Sequence, residues 1–208
     1  MTAKSAIAWT IAASDTSGGA GIQADIKTFA DLGVYACSAI TAITAQNTHG
    51  VKQVAPVTPQ LLTQQLDALL EDLPPTAIKL GVLPNLDIID RVIDCLQALS
   101  DTFIILDPVM QPSKGRTLTA PDSIVGIKKL LPYVDMITPN IPEAQWMTGK
   151  TICDADSRYQ AAQQLLSLGA QGVLLTGGHG TDPTYTQDLL AMRDISCLLY
   201  TSPSPRDA

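Results

Sequence analysis

Short apolar runs alternate with longer segments of helical period along this chain. Runs rich in small and β-branched residues predict strands near residues 6–12, 38–45, 77–80, 103–106, 136–138 and 172–175. Segments with a helical stripe predict helices near residues 21–32, 59–70, 86–99, 123–131, 143–147 and 157–168. Strands and helices in alternation predict an α/β fold built around a mostly parallel sheet.

Two of the predicted helices have recognisable ends. Thr58 and Pro59 suit the cap and first-turn positions of the second helix, which must end before Pro74. Gly33 is expected to end the first helix.

Composition narrows the class of protein. The 208 residues are 46% hydrophobic, which is enough to bury a core, and the net charge of −7 comes without any basic block. Only 4% of the residues are aromatic, so a nucleic-acid surface is disfavoured on both counts. The four cysteines are widely separated and indicate neither a zinc site nor a disulfide framework.

A membrane location is also disfavoured. No uncharged apolar run reaches the roughly 18 residues that a membrane span needs. Residues 4–13 have the charge and apolar length of a weak signal peptide, but the Asp and Gly turn that follows favours a buried first strand. We therefore expect a soluble, cytoplasmic protein.

The loop after the first strand is the first candidate site. Residues 13–21, Ala-Ser-Asp-Thr-Ser-Gly-Gly-Ala-Gly, include Asp15, Gly19 and Ala20 and open a helix. Glycine lets the backbone approach a ligand and leaves amides free for a polar or anionic group. The pattern is neither a dinucleotide fingerprint nor a P-loop. A tight strand-to-helix corner without a ligand is the alternative.

Glutamine at the end of the second strand is the second candidate. The amide of Gln46 offers a paired donor and acceptor, which suits a neutral heterocycle with ring nitrogens and an amino group. Asn47 and Thr48 are expected to form a turn before Gly50. His49 is interpreted as a solvated loop residue.

Candidate residues follow three later strands. Asp107 ends a buried strand and precedes a polar loop with Lys114, and Asn140 with Glu143 follows another strand. Carboxylates at strand ends can position magnesium and bridge to nucleotide phosphates. Glu143 equally suits the first turn of a helix after Pro142. Gly177 and Gly178 form either a phosphate-contacting turn or a plain hairpin.

Six stretches of the sequence carry a family resemblance through their order and spacing: 17–29, 41–48, 79–83, 107–110, 137–144 and 177–179. Together they make the chain resemble the hydroxymethylpyrimidine/phosphomethylpyrimidine kinases of thiamine biosynthesis, within the ribokinase-like superfamily, and the agreement runs from Ile7 to about Met192. The resemblance implies a ribokinase-like fold with helices on both faces of the sheet. It also implies ATP-dependent phosphorylation of 4-amino-5-hydroxymethyl-2-methylpyrimidine and then of its monophosphate.

The same resemblance implies roles for individual residues. Gln46 would hydrogen-bond the aminopyrimidine, and the substrate side would also include Asp15, Gly19, Ala20, Val82 and Val109. Asp107 and Glu143 would lie on the magnesium side. Asn140, Gly177, Gly178 and Lys114 would lie near the nucleotide and its phosphates. The implied partners are the small aminopyrimidine, ATP and Mg²⁺, and a homodimer is left open.

Three departures from the family pattern affect this expectation. Val82 replaces a usual methionine, and Thr176 replaces a common lysine before the paired glycines. The family's Gly-Thr-Gly-Cys type turn, which carries the catalytic residue, is expected after residues 193–195 and is absent there. Cys197 lacks flanking glycines and is not its substitute.

We therefore expect an incomplete kinase domain over residues 1–195, with the last part of the fold missing and little or no kinase activity. Residues 196–208 are interpreted as a non-native tail, similar to translated sequencing-adapter read-through. A pyridoxal kinase and a non-catalytic pyrimidine-binding protein are the alternative functions. A dinucleotide-binding oxidoreductase is disfavoured because its glycine fingerprint is missing.

Overall fold

The computed structural model describes residues 6–110, 117–177, 186–193 and 195–201. The chain divides into two compact units, Met1–Leu130 (unit 1) and Leu131–Ala208 (unit 2). No helix among the described residues is long and apolar enough to cross a membrane.

Unit 1 is an α/β unit whose strands run in the spatial order β3-β2-β1-β4-β5. The strands are β1 (Ile7–Asp15), β2 (Tyr35–Asn47), β3 (Gly50–Pro56), β4 (Ala77–Leu80) and β5 (Phe103–Leu106). Strand β1 pairs in parallel with β2 and β4, β4 pairs in parallel with β5, and β3 is antiparallel to β2. The carboxyl ends of four strands therefore meet at one edge of the sheet.

Four helices complete unit 1: α1 (Gly21–Asp31), α2 (Pro59–Asp72), α3 (Leu86–Gln97) and α4 (Ser123–Leu130). Helix α2 begins as predicted, because the Thr58 side chain accepts a hydrogen bond from the Leu61 N–H and Pro59 opens the first turn. After α1, Gly33 has φ of +73°, a backbone conformation that favours glycine and ends a helix. Fully buried side chains such as Trp9, Leu80 and Ile88 form the core.

Unit 2 combines one parallel strand pair with an antiparallel meander. Its strands are β6 (Met136–Ile137), β7 (Gly172–Leu175), β8 (Thr186–Met192) and β9 (Ile195–Thr201), and its helices are α5 (Ile141–Thr148) and α6 (Ala155–Ser167). Strands β6 and β7 are parallel, whereas β8 is antiparallel to both β7 and β9. Helix α6 packs against β7 and β8.

All twelve predicted elements are present, with ends that differ by a few residues. The prediction missed β3, β8 and β9, each of which joins its neighbour as an antiparallel hairpin strand. Strand β9 crosses the predicted boundary at residue 195, and Cys197 lies in it opposite Leu190. Ser196 and Cys197 are therefore strand residues and not the start of a helix.

Candidate functional site

The loop between β1 and α1 is organised by the carboxylate of Asp15, which is only 3% exposed. Its oxygens accept the backbone N–H groups of Ser17 at 2.8 Å, Gly19 at 3.1 Å and Ala20 at 2.9 Å, and also the Ser17 hydroxyl. The Gly18 N–H donates to the Asp15 carbonyl at 3.0 Å. The N–H groups of residues 17 to 20 are therefore bound within the loop and, contrary to expectation, are not left free for a polar or anionic group.

Hydrogen bonding sets the charge state of Asp15. Burial alone would raise the pKa of this carboxyl, but the bonds from Ser17, Ala20 and Gly19 outweigh burial and lower the pKa below its usual value. A carboxylate held in its ionised form also repels a second anion. The loop is thus better suited to a neutral ligand than to a phosphate.

Close backbone packing fixes where this loop enters α1. Gly21 has φ of +56°, and a Cβ on it would lie 2.3 Å from the Ala13 carbonyl oxygen. Only glycine fits such a position without moving the strand.

Gln46 lies at the end of β2, where the predicted site residue was expected. Its backbone N–H donates to the Thr16 hydroxyl at 2.9 Å, which ties the strand end to the Asp15 loop. The Asn47 side chain accepts the His49 N–H at 2.9 Å and forms the turn that leads to β3. The predicted turn is confirmed, although it connects two paired strands.

The two predicted pocket residues Val82 and Val109 share one apolar cluster. Its buried members are Ala13, Ala42, Val51, Val82 and Leu118, and Val54 and Val109 pack against them. Val51 is the β3 partner of Gln46 in the strand ladder. Gln46 therefore borders an apolar surface that includes Val82 and Val109. Ala20, which was also predicted for the substrate side, is not a member of this cluster.

An ionic network that sequence reasoning missed lies at the same edge of unit 1. The Lys79 ammonium lies 3.1 Å from Asp25 Oδ2 and 3.6 Å from Asp107 Oδ2. The Thr10 hydroxyl donates to the same Asp25 oxygen at 2.6 Å. Both Lys79 and Asp25 lie in stretches that match the family. The signal available in the sequence was Lys79, because a charged residue in a predicted buried strand needs an ionic partner.

Asp107 is the unusual member of this network. Burial raises the pKa of its carboxyl, nearby Lys79 lowers it, and the negative charge of Asp25 raises it, with a net upward result. Perturbed carboxyls of this kind are common at functional sites. Its position directly after β5 is the one predicted for a magnesium ligand.

The predicted pair in unit 2 forms a helix cap. Asn140 Oδ1 accepts the Glu143 N–H at 2.9 Å, and Glu143 Oε2 accepts the Asn140 N–H at 2.9 Å. This reciprocal capping box begins α5. The structural alternative for Glu143 is therefore realised, and its predicted metal role stays a prediction.

Gly177 lies close to Asn140, since Asn140 forms a parallel bridge with Thr176. The Gly177 N–H donates to Asp188 Oδ1 at 2.8 Å, and a Cβ on Gly177 would lie 1.9 Å from the Gln187 carbonyl oxygen. That N–H is thus bound to a carboxylate of β8. The predicted site residues Gly178 and Lys114 lie outside the described residues.

The predicted metal ligands belong to different units, Asp107 to unit 1 and Glu143 to unit 2. Among the described residues, no group of three or more His, Cys, Asp or Glu side chains is arranged to hold a metal ion. A metal at either carboxylate would need ligands from water or from a bound nucleotide, which is how Mg²⁺ usually binds.

Solved kinases share this fold. A phosphomethylpyrimidine kinase from Clostridium difficile 630 superposes with a TM-score of 0.86 at 39% identity, covering 94% of this chain and 84% of that one. A Staphylococcus aureus pyridoxal kinase in complex with AMP-PCP superposes with a TM-score of 0.86 at 32% identity, covering 96% and 73%. The chain thus has the ribokinase-like fold of small-molecule kinases.

Sequence comparison gives the family. The phosphomethylpyrimidine kinase family model matches residues 15–206. A hydroxymethylpyrimidine/phosphomethylpyrimidine kinase from Bacillus subtilis (strain 168) is 50% identical over 184 residues, which are 88% of this chain and 68% of the relative. The chain belongs to the phosphomethylpyrimidine kinase family, a family of phosphotransferases.

Proposed function

We propose that unit 1 binds 4-amino-5-hydroxymethyl-2-methylpyrimidine, the substrate of the kinase step in thiamine biosynthesis. The observation that carries this proposal is the position of Gln46 beside the apolar cluster of Val51, Val82 and Val109. An amide N–H donates to a ring nitrogen while the amide oxygen accepts from the neighbouring amino group. The apolar cluster provides the surface on which the ring and its methyl group pack.

Asp15, Gly19 and Ala20 form the other side of the proposed substrate site. The ionised Asp15 accepts the N–H groups of Gly19 and Ala20. The loop backbone that faces the ring is therefore preorganised, and these two N–H groups are already bound. Such a surface needs little rearrangement when the ligand binds, which favours affinity.

ATP and Mg²⁺ are the proposed co-substrate and cofactor. Asp107 of unit 1 and Glu143 of unit 2 are proposed, each by itself, as carboxylates with the hard oxygens that Mg²⁺ prefers, and Asn140 Nδ2 of unit 2 is a donor suited to a phosphate oxygen. The metal, when bound, neutralises phosphate charge during transfer.

We place the protein in the cytoplasm, where the free cysteines Cys37, Cys95, Cys153 and Cys197 would stay reduced. A homodimer is proposed on the resemblance alone.

Pyridoxal kinase is the second candidate, favoured by the equal TM-scores of the two solved kinases. Pyridoxal lacks the amino group beside a ring nitrogen that the Gln46 amide complements.

Calorimetric titration of the chain with each compound tests this proposal. We expect the aminopyrimidine to bind at least tenfold tighter than pyridoxal. Gln46→Leu should remove that preference, while Gln64→Leu on the exposed face of α2 should keep it. Preferential binding of pyridoxal would replace the proposal with the second candidate. Binding of neither compound would reject both.

A further inference from the structure

The strand ladder next to Gln46 is irregular. Ala45 pairs with Gln53 of β3, whereas Gln46 pairs with Val51, so one residue of β3 is skipped between them. A bulge of this kind disrupts the ladder and re-aims the side chain next to it. The bulge lies on the β3 side of β2, so a partner on the opposite edge of β2, toward β1, is the one that can hold Gln46 in one position.

Thr16 is that partner. Its hydroxyl oxygen accepts the Gln46 N–H at 2.9 Å, and its single proton is shared between the carbonyl oxygens of Gln46 at 3.0 Å and Thr44 at 3.1 Å. One exposed side chain thus extends the hydrogen bonding between β1 and β2 beyond Asp15, the last residue of β1.

Gln46 is held by its backbone rather than by its side chain. The hydrogen bond that the structure gives its side-chain amide comes from the Thr44 hydroxyl at the long distance of 3.5 Å. The Thr44 hydroxyl also donates to the Ser14 carbonyl at 3.0 Å. The amide remains available for a ligand while the backbone below it is fixed.

The position of Thr16 is itself fixed by the loop. Asp15 accepts the N–H of Ser17 at 2.8 Å on one side of Thr16, and the Asp15 N–H donates to Gln23 Oε1 at 2.8 Å on the other. A continuous set of short hydrogen bonds therefore runs from the loop through Thr16 to Gln46.

We propose that Thr16 is a positioning residue for pyrimidine recognition, because its hydroxyl fixes the backbone of Gln46 at the bulge. This inference rests on the proposed function of Gln46. Without the hydroxyl, the strand end moves and the two hydrogen bonds of the amide lose their alignment, on which their strength depends. Thr16 acts through Gln46 and does not itself touch the substrate.

The test measures aminopyrimidine affinity by calorimetry for Thr16→Val, Thr16→Ser, Gln46→Leu and the Thr16→Val/Gln46→Leu double variant. Valine keeps the shape of threonine without the hydroxyl, and serine keeps the hydroxyl. Thr28→Val is the matched control, because the exposed Thr28 hydroxyl bonds only the Ala24 carbonyl of its own helix in the described structure.

We expect Thr16→Val to raise the Kd for the aminopyrimidine about five- to tenfold. Thr16→Ser and Thr28→Val should leave this Kd within about twofold of that of the unmodified chain. The double variant should bind no more weakly than Gln46→Leu alone. Such non-additivity shows that the two residues act as one unit. Hydrogen exchange of the Gln46 amide, measured without ligand, should be at least tenfold faster in Thr16→Val alone.

Three results overturn the inference. If Thr16→Val leaves the Kd unchanged while Gln46→Leu binds the aminopyrimidine more weakly, Thr16 has no positioning role and the proposed function stands. Additive losses in the double variant do the same, because Thr16 then acts independently of Gln46. Absence of aminopyrimidine binding by the unmodified chain rejects the proposed function, and the inference with it.

Discussion

The carboxylate of Asp15 accepts the backbone N–H of Ala20 at 2.9 Å, so the last residue of β1 closes the loop that leads into α1. The same carboxylate binds two further backbone amides and a hydroxyl. This buried acid therefore stabilises the loop between β1 and α1.

Replacing Asp15 with asparagine should destabilise the protein strongly. The asparagine NH₂ group would face the backbone N–H donors that the carboxylate now accepts, and buried donors would lose their acceptor. We expect the free energy of unfolding to fall by about 2–4 kcal/mol at pH 7. Urea denaturation measures the loss, and Asp31→Asn on the exposed end of α1 is the control. A loss no larger than the control's would contradict the role given to Asp15.

The Asp15 contribution should also depend on pH in a defined direction. Its pKa in the folded state lies below the usual 3.8, because hydrogen bonds outweigh the effect of burial. The carboxylate therefore adds stability above the unfolded pKa, and this stability disappears as pH falls through the folded pKa. The difference between Asp15→Asn and the unmodified chain should shrink below about pH 4, and a difference that grows there would be contrary evidence.

Glycine at position 21 should tolerate no side chain. Alanine at position 21 would have φ of +56° and a Cβ 2.3 Å from the Ala13 carbonyl oxygen. A Cβ on Gly33, where φ is +73°, would have no other atom within 4 Å. We expect Gly21→Ala to cost more than about 3 kcal/mol and Gly33→Ala about 1 kcal/mol. Thermal denaturation compares the two variants, and equal melting temperatures would show that close packing at Gly21 is unimportant.

Lys79 should control the protonation of Asp107. Burial raises the pKa of Asp107 and Asp25 adds to this, whereas Lys79 lowers it. Lys79→Met should therefore raise the pKa of Asp107 further. Carboxyl NMR titration in chelator measures the change. Lys27→Met is the control, since Lys27 donates to the Gly18 carbonyl instead. An Asp107 pKa unaffected by Lys79→Met would mean that the 3.6 Å ion pair does not persist in solution.

Asp107 itself should not stabilise the fold at neutral pH. Because its folded pKa is raised, its contribution to stability falls as pH rises from the unfolded value through the folded pKa. Asp107→Asn should therefore leave the melting temperature at pH 7 unchanged or higher, as expected of a residue kept for function. A clear loss of stability would indicate a structural role instead.

Glu143→Gln separates the two roles of Glu143. A glutamine oxygen accepts the Asn140 N–H as the carboxylate does, so the cap of α5 should survive with a change within about 0.5 kcal/mol, while Glu143→Ala should cost about 1 kcal/mol. Mg²⁺ titration in the presence of ATP tests the proposed metal role. Weaker Mg²⁺ binding by Glu143→Gln supports that role, and unchanged binding leaves only the cap.

Much of the fold was predictable because its helices and parallel strands carry strong local signals. The limits of Ala77–Leu80 and Phe103–Leu106 follow from short, largely apolar runs whose alternate residues are buried. Strand β3, Gly50–Pro56, buries only Val51 fully, carries the exposed pair Lys52 and Gln53, and ends at a proline, so its pairing with β2 depends on tertiary structure. The same holds for β8 and β9.

The site was predictable in its residues but not in their partners. The amide of Gln46 was identified from its chemistry, because glutamine is not a turn former. That Asp15 would occupy the loop amides, or that Thr16 would support Gln46, depends on distances that spacing along the chain does not contain. Lys79 was missed because its two carboxylate partners are 54 and 28 positions away.

The central claim is that the aminopyrimidine binds in unit 1 between Gln46 and the apolar cluster. Backbone amide NMR spectra of the chain, recorded during titration with 4-amino-5-hydroxymethyl-2-methylpyrimidine, test it most directly. We expect saturable shifts concentrated at the amides of Ala20, Gln46, Val82 and Val109. Saturable binding that leaves these four amides unshifted would contradict it.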